Sequence, residues 1–248
     1  MNSPDALLRT VLMFGIPVLY ALALHEAAHG YVARLLGDDS SAKEGRLSLN
    51  PLRHIDPFGT ILLPMLMYWL IQLPFGYAKP VMIEYDSLRE PKIKSMAWVG
   101  LAGPAANLAM GVAWAVAGLV LSASGMHNGF LRGMVQVGVS FNAVMIVVNM
   151  LPIPPLDGSN VVAGLLPDRV LRALPSFPKD EVPVLPGLLP TRLANWLTWT
   201  DVGGVLLFCT LIVLIKLHVL DSFMLKATLM VSSLFSLIAS PISFFLHV

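Results

Sequence analysis

Apolar residues occupy the chain in long runs, which polar and proline-rich segments interrupt. The first run extends from about Leu8 to Leu36 and carries a polar cluster, His25 to His29, just past its middle. Gly37 and the polar stretch Asp38 to Asp56 end it, with turn signals at Asn50-Pro51 and Asp56-Pro57. A shorter apolar run, Phe58 to Phe75, contains Pro64 and Pro74. In the charged segment Tyr77 to Lys94 that follows, the residues Tyr77 to Glu84 alternate enough to predict a short strand. Two clear spans come next, about Ser95 to Ser122 and Leu131 to Leu151, and the second ends in Leu151-Pro-Ile-Pro-Pro-Leu-Asp157-Gly158. A short helix over Ser159 to Leu166 is predicted after that turn. The Pro-rich stretch Pro167 to Thr200 is expected outside the membrane or along its surface. Val202 to Leu220 and Phe223 to Phe245 predict a closing hairpin of helices.

A helix needs about 20 apolar residues to cross the hydrocarbon core. The pattern therefore predicts an all-α membrane protein, a polytopic helical bundle of about five to six spans with one short strand-like or re-entrant segment. Whether Phe58 to Phe75 spans or re-enters decides the topology. Its flanks, Gly37 to Pro57 and Gly76 to Lys94, carry three and four Lys/Arg residues, and positive loops prefer the cytoplasmic side, so both are expected in one compartment. With that run re-entrant, twelve of the sixteen Lys and Arg residues collect on the side where the first helix exits. The expected orientation places the N-terminus outside and the charged loops inside, and brings Asp157 to the side of His25.

Composition supports the membrane reading. Of 248 residues 56% are hydrophobic and 12% charged, about half the charged fraction of an ordinary soluble domain. The net charge of +1 points to no nucleic-acid partner. The single Cys209 leaves no disulfide framework. The first apolar run leads straight into His25 and Glu26 with no small-residue cleavage pattern, so it is expected to be retained as a working helix.

His25-Glu26-Ala27-Ala28-His29 matches H-E-x-x-H. Four residues advance an α-helix by about 6 Å and return to nearly the same face, so both imidazoles can reach one metal ion. Zinc suits two neutral imidazoles and an oxygen ligand, and keeps an open position for the water that attacks. Glu26, beside the first imidazole, is placed to accept that water's proton. Shuffling this composition yields the pattern in roughly three of a thousand trials. An ionisable side chain deep in a membrane helix costs on the order of 2.5–3.5 kcal/mol, so three within five residues demand compensation that a metal in a hydrated cavity supplies. The bland alternative is a solvated helix end at the interface. A third ligand is needed, and Asp157, Asp56, His54 and Glu44 are candidates. Asp157 sits at a rigid turn, although an ordinary Asp-Gly turn or a helix cap would explain it equally well.

The H-E-x-x-H run, taken with Asn149-Met-Leu-Pro152-Ile-Pro154-Pro-Leu-Asp157-Gly158, resembles the site-2 protease family of intramembrane metalloproteases. Gly103-Pro104-Ala-Ala-Asn107 and Phe75-Gly-Tyr-Ala-Lys79-Pro80-Val also resemble segments of that family, and together these motifs cover about residues 10–166. The resemblance implies one zinc ion on His25, His29 and Asp157, Glu26 as general base and Asn149 near the oxyanion. One membrane-embedded metalloprotease domain is expected over 1–248, with a catalytic core at about 8–166 and a C-terminal loop and helical hairpin at 167–248 that these motifs do not cover. The segment after Phe75 is implied to pair with an unwound substrate strand, and no insert is long enough for a PDZ domain. The partners it implies are membrane-anchored protein substrates in the lipid bilayer, and the compact form points to the plasma membrane of a prokaryote with the active site towards the cytoplasm.

Other polar residues have plainer readings. Asn107 is expected to serve helix packing and hydrogen bonding, Asn149 has interhelical bonding as its alternative role, and His54 is expected in a loop. His127, His218 and His247 lie near span ends, and Trp196 and Trp199 are expected to anchor the interface. The competing function is a membrane transporter or metal channel using the same His, Glu and Asp as an ion pathway. Such a path would spread polar residues along several helices, whereas here they concentrate in one cluster and one turn. A pseudoprotease acting as a binding module is disfavoured by the intact Glu26.

Overall fold

The computed structural model describes residues 4–54, 81–153, 156–166 and 220–246, with a few isolated positions between them. Four helices in these stretches are long and apolar enough to cross a bilayer. The protein is a polytopic all-α membrane protein, as the apolar pattern predicts. In chain order the helices are α1 (Pro4–Leu35), the one-turn α2 (Ser40–Lys43), α3 (Lys92–Ala123), α4 (Gly129–Asn149), the short α5 (Asp157–Leu165) and α6 (Asp221–Leu246). Except for α2, which lies in the polar stretch after Gly37 where no helix is predicted, each falls within a few residues of a predicted element, and α5 begins at Asp157 where the sequence predicts Ser159. The runs at 58–75, 167–200 and most of 202–220 lie outside the described residues, and with them the re-entrant segment, the fifth span, Trp196, Trp199 and His218.

Among the described helices α3 is the centre, packing against α1, α4, α5 and α6. Lipid tails are as apolar as leucine, so helices in a bilayer associate through close packing and polar bonds instead of hydrophobic drive. Small residues on α3 permit that approach. A Cβ on Gly100 would lie 3.0 Å from the Asp157 carbonyl oxygen of α5, and one on Gly111 would enter the ring of Phe235 from α6. Phe235 is fully buried as a result. On the opposite face of α6, Leu229, Met230, Leu237 and Phe244 point outward, as lipid-facing side chains do.

The chain leaves α1 and enters α3 at one end of the bundle, where the Arg89 amide donates to the Leu36 carbonyl at 2.7 Å. There Ala33, Leu88 and Val99 form a small core, with Ile83 and Tyr85 packed on it. Of the predicted strand, Tyr77 to Pro80 lie outside the described residues, and Val81–Glu84 joins no ladder. The alternation has a different cause. Val81 is buried and Ile83 packs inward while Met82 is exposed, so the segment lies as a single extended strap on the bundle. Side chains take its backbone groups: the Met82 carbonyl accepts from Ser41 Oγ at 2.7 Å, and the Glu84 amide donates to Asp38 Oδ2 at 2.8 Å.

Asp38 is buried and also accepts from the Ser40 amide and hydroxyl. Burial pushes its carboxyl pKa up, but the bonds from Ser40 and Glu84 outweigh this and hold it below the ordinary carboxylate value. A depressed pKa means that the stabilisation is present above the unfolded value and is lost as pH falls through the folded one. In Asp38→Asn the new amide would face the Glu84 N–H, donor against donor. A hydrogen bond to a charged group contributes about 1.5–3 kcal/mol, so amide exchange at Glu84 should accelerate by roughly tenfold or more. Wild type should show the same release on acidification below the ordinary carboxylate range. Exchange measured by mass spectrometry that is unchanged in Asp38→Asn would rule out this anchoring.

Candidate metal centre

His25 and His29 lie one turn apart on α1, both buried, with their rings edge to face. Asp157 opens α5, and the backbone turn before it places its carboxylate against both rings. His25 Nε2 and His29 Nε2 are 3.1 Å apart, Asp157 Oδ2 is 3.2 Å from the first, and Oδ1 is 3.4 Å from the second. The ligand-capable atoms of these residues lie within 4.8 Å of one another, the one such group of His, Cys, Asp or Glu among the described residues. Asp157, of the sequence candidates for a third ligand, is thus the residue that meets the imidazoles. Glu44 is exposed near Arg46, His54 bonds the Ser48 carbonyl from a short 3-10 turn, and Asp56 lies outside the described residues.

The protonation of the two rings can be read from their outer nitrogens. His29 Nδ1 lies 2.7 Å from the Val99 carbonyl oxygen, which can only accept, so Nδ1 carries the proton. His25 Nδ1 lies 2.7 Å from Asn107 Oδ1, and the Asn107 amide nitrogen is engaged by the Ala21 carbonyl. His25 is therefore also protonated on Nδ1. In neutral rings both Nε2 atoms are then bare lone pairs, facing each other and a carboxylate. Consistently, Asp157 Oδ2 is buried and receives no hydrogen bond although His25 Nε2 is 3.2 Å away.

Two bare nitrogens and a carboxylate held this close repel unless a cation lies among them. Zinc bonds of about 2.0–2.2 Å at tetrahedral angles separate neighbouring ligand atoms by about 3.4 Å. The two imidazole nitrogens, 3.1 Å apart, and their 3.2 and 3.4 Å contacts to Asp157 Oδ2 and Oδ1 respectively lie close to that spacing. Protein carbonyls or amides usually fix the outer nitrogen of a metal-binding histidine, as Val99 and Asn107 do here. Donor set, spacing and tautomers all fit zinc.

Two glycines make the arrangement possible. A Cβ on Gly103 of α3 would stand 2.5 Å from His29 Nε2 and 2.7 Å from His25 Nδ1, so the bare backbone of α3 closes over both rings. A Cβ on Gly158 would meet the carbonyls of Met150 and Leu151 at the end of α4. That close approach seats the turn carrying Asp157.

Glu26, half-buried, accepts from the Val81 amide through Oε2 at 3.1 Å, which ties the strap to the site. Asn149 at the end of α4 donates its side-chain amide to the Met145 carbonyl at 3.0 Å, one turn back on its own helix. Asn107 is fully buried and touches His25, a contact that the packing role read from the sequence did not include. Its spacing of four from Gly103 is the signal: the residue one turn on from a helix's closest approach faces the same partner.

Comparison with known proteins agrees with this chemistry. The chain is 35% identical over 160 residues to a Bacillus subtilis protein named, provisionally, zinc metalloprotease YwhC, covering 62% of this chain and 69% of that one. It is 34% identical over 158 residues to Rip2 of Mycolicibacterium smegmatis, and 34% identical over 162 residues to Rip2 of Mycobacterium tuberculosis, both with the same provisional zinc-metalloprotease name. Those two alignments cover 63% of this chain and 58% of each mycobacterial protein, so the chain spans less than two thirds of their length. No family model and no solved structure matches.

Substituting Gly103 by Ala should drive a methyl group into the imidazole pair. Zinc affinity of the purified chain, read by chelator competition, is expected to fall by at least about 10–100-fold, the range for disturbed support of a metal ligand. Undiminished affinity would mean that the metal sits elsewhere.

Proposed function

The chain belongs to the site-2 protease family, and from that premise we propose that it is a zinc-dependent endopeptidase that cuts membrane-anchored proteins within or beside the bilayer. The observation that carries this reading is the triangle of His25, His29 and Asp157 atoms inside an apolar bundle, with Glu26 next to it. His25, His29 and Asp157 hold one zinc ion per chain. When bound, zinc supplies Lewis acidity that polarises a scissile carbonyl and makes water a nucleophile near neutral pH. Glu26 is the general base, and the Val81 amide steadies its carboxylate while it takes the proton of the attacking water and passes it to the leaving amine. Asn149 donates to the oxyanion once substrate is present, exchanging the Met145 carbonyl for it.

A membrane helix hides its amides in internal hydrogen bonds, so the substrate must unwind before cleavage. The strap Val81–Glu84 is the docking segment. Its groups at Met82 and Glu84 are taken by Ser41 and Asp38 and the Val81 amide by Glu26, which leaves the Val81 carbonyl and the Ile83 backbone, beside Glu26, for an extended substrate. The bond between Arg89 and Leu36 supports placing Arg34, Lys43, Arg46, Arg53, Lys92 and Lys94 at one end of the bundle. By the positive-inside rule that end is cytoplasmic, the membrane being the plasma membrane of a prokaryote. We take residues 8–166 as the working core of a single domain over 1–248. The transporter or metal-channel alternative is not favoured, since the named relatives carry protease names.

Glu26→Gln should keep zinc yet lower cleavage of a membrane-anchored substrate by about 10²–10⁴-fold, the usual worth of general acid–base catalysis. Retained cutting would refute the assignment of the base. Cleavage of a helix-stabilised substrate should be slower than that of a version with Gly at the scissile region, and equal rates in reconstituted vesicles would count against unwinding.

A further inference from the structure

Three buried polar side chains form a line across the bundle, from Asn142 on α4 through Asn107 on α3 to His25 on α1. Both asparagines are completely buried. The Gly138 carbonyl oxygen can only accept, and Asn142 Nδ2 donates to it at 2.7 Å. Asn142 Oδ1 is thereby turned the other way, where it accepts from Asn107 Nδ2 at 2.9 Å. Asn107 Nδ2 also donates to the Ala21 carbonyl at 3.3 Å. With both its amide protons engaged, Asn107 presents Oδ1 to His25 Nδ1 at 2.7 Å.

We infer that Asn142 is a positioning residue for the metal centre: through Asn107 it selects the His25 tautomer that leaves Nε2 bare. An Asn107 amide turned by half a revolution would set its oxygen against the Ala21 carbonyl and Asn142 Oδ1. It would also offer an N–H to His25 Nδ1, and the ring proton would move to Nε2, the atom that faces His29 and Asp157. That nitrogen could not bind a metal. The bond to Ala21 is longer than the usual 2.9–3.0 Å for N–H···O, so the shorter bond to Asn142 is the main discriminator between the two amide orientations. Polar residues that merely join membrane helices need a partner of either kind. Here each group in the line has a fixed direction, set at its far end by a backbone carbonyl.

The inference rests on the zinc reading only for its consequence, because the tautomer is a property of the metal-free chain. The test uses the full chain with ¹⁵N-labelled histidine in lipid bilayers, stripped of zinc at mildly alkaline pH, with the His25 ring assigned by its loss in His25→Gln. Wild type should show His25 protonated on Nδ1. Asn142→Leu should shift much of His25 to the Nε2-protonated form and weaken zinc, by chelator competition, about tenfold. Asn142→Asp keeps a carboxyl oxygen that accepts from Asn107 Nδ2 whether or not it is ionised, and should restore both readings. A wild-type His25 protonated on Nε2 would overturn the relay whether or not a variant folds. It would likewise be overturned if Asn142→Leu left the tautomer unchanged, even with weaker zinc, since that marks a packing role. Wild type with the expected tautomer but no zinc affinity would instead sink the metal reading and leave the relay standing.

Discussion

Two imidazole lone pairs that face each other across 3.1 Å, with a carboxylate beside them, are the constraint around which the bundle is arranged. Such a cluster repels itself in a medium of low dielectric, and burying it without a cation would cost far more than one ordinary membrane contact returns. The outer nitrogens show that the repulsion is built in. Val99 and Asn107 each present an acceptor, which forces the protons outward and leaves the inner atoms electron-rich. A chain selected only for packing would gain by turning one ring and letting an inner N–H bond the other ring or Asp157.

Helix α3 makes this arrangement mechanically possible. It meets every other long described helix, and at three of its contacts it is small: Gly100 under α5, Gly103 over the imidazoles, Gly111 beneath Phe235; against α4 a glycine of the partner helix, Gly138, faces Trp114. Polar bonds between membrane helices average only about 0.6 kcal/mol, so the bonds of Asn107 and Asn142 are minor contributors to holding the bundle together. Their directionality counts for more. Close packing supplies the cohesion, and the amides, lying between α1, α3 and α4, set whether the inward nitrogen of His25 carries a proton.

The long helices and the pair His25 and His29 were legible because apolar run length and a spacing of four translate directly into spans and into a shared helix face. Asp157 was legible only through its resemblance to a family pattern. As a local signal, an Asp-Gly turn is equally a turn or a cap, and it takes the seat of Gly158 against the end of α4 to aim the carboxylate inward. The spacing of Asn107 from Gly103 marks the face of closest approach, but that His25 stands opposite it is set by packing between helices distant in sequence. The alternation at Val81–Glu84 was real but ambiguous: burial on one side of a strap produces the same period of two as a paired strand. Asn149 shows the converse, a residue picked out by motif whose amide bonds the carbonyl of Met145 on its own helix.

Depth is the remaining requirement, because hydrolysis needs water where lipid excludes it. His25 lies ten residues before the end of α1, about 15 Å along the axis, or roughly half the hydrocarbon thickness. The strap descends towards that level. It is pinned at Glu84 by Asp38, beyond the end of α1, and reaches Glu26 through the Val81 amide, a descent of about 10 Å in three peptide steps. Irregular backbone at such depth persists only where protein covers it or a hydrated cavity borders it. The strap therefore brings unsheathed peptide groups down to the carboxylate that needs a proton donor, and does so from the end of the bundle where Asp38, Ser40 and Ser41 gather. Under the proposed function, a route for water and a docking edge for an unwound substrate would be the same physical feature, the strap held to Glu26 by its Val81 amide.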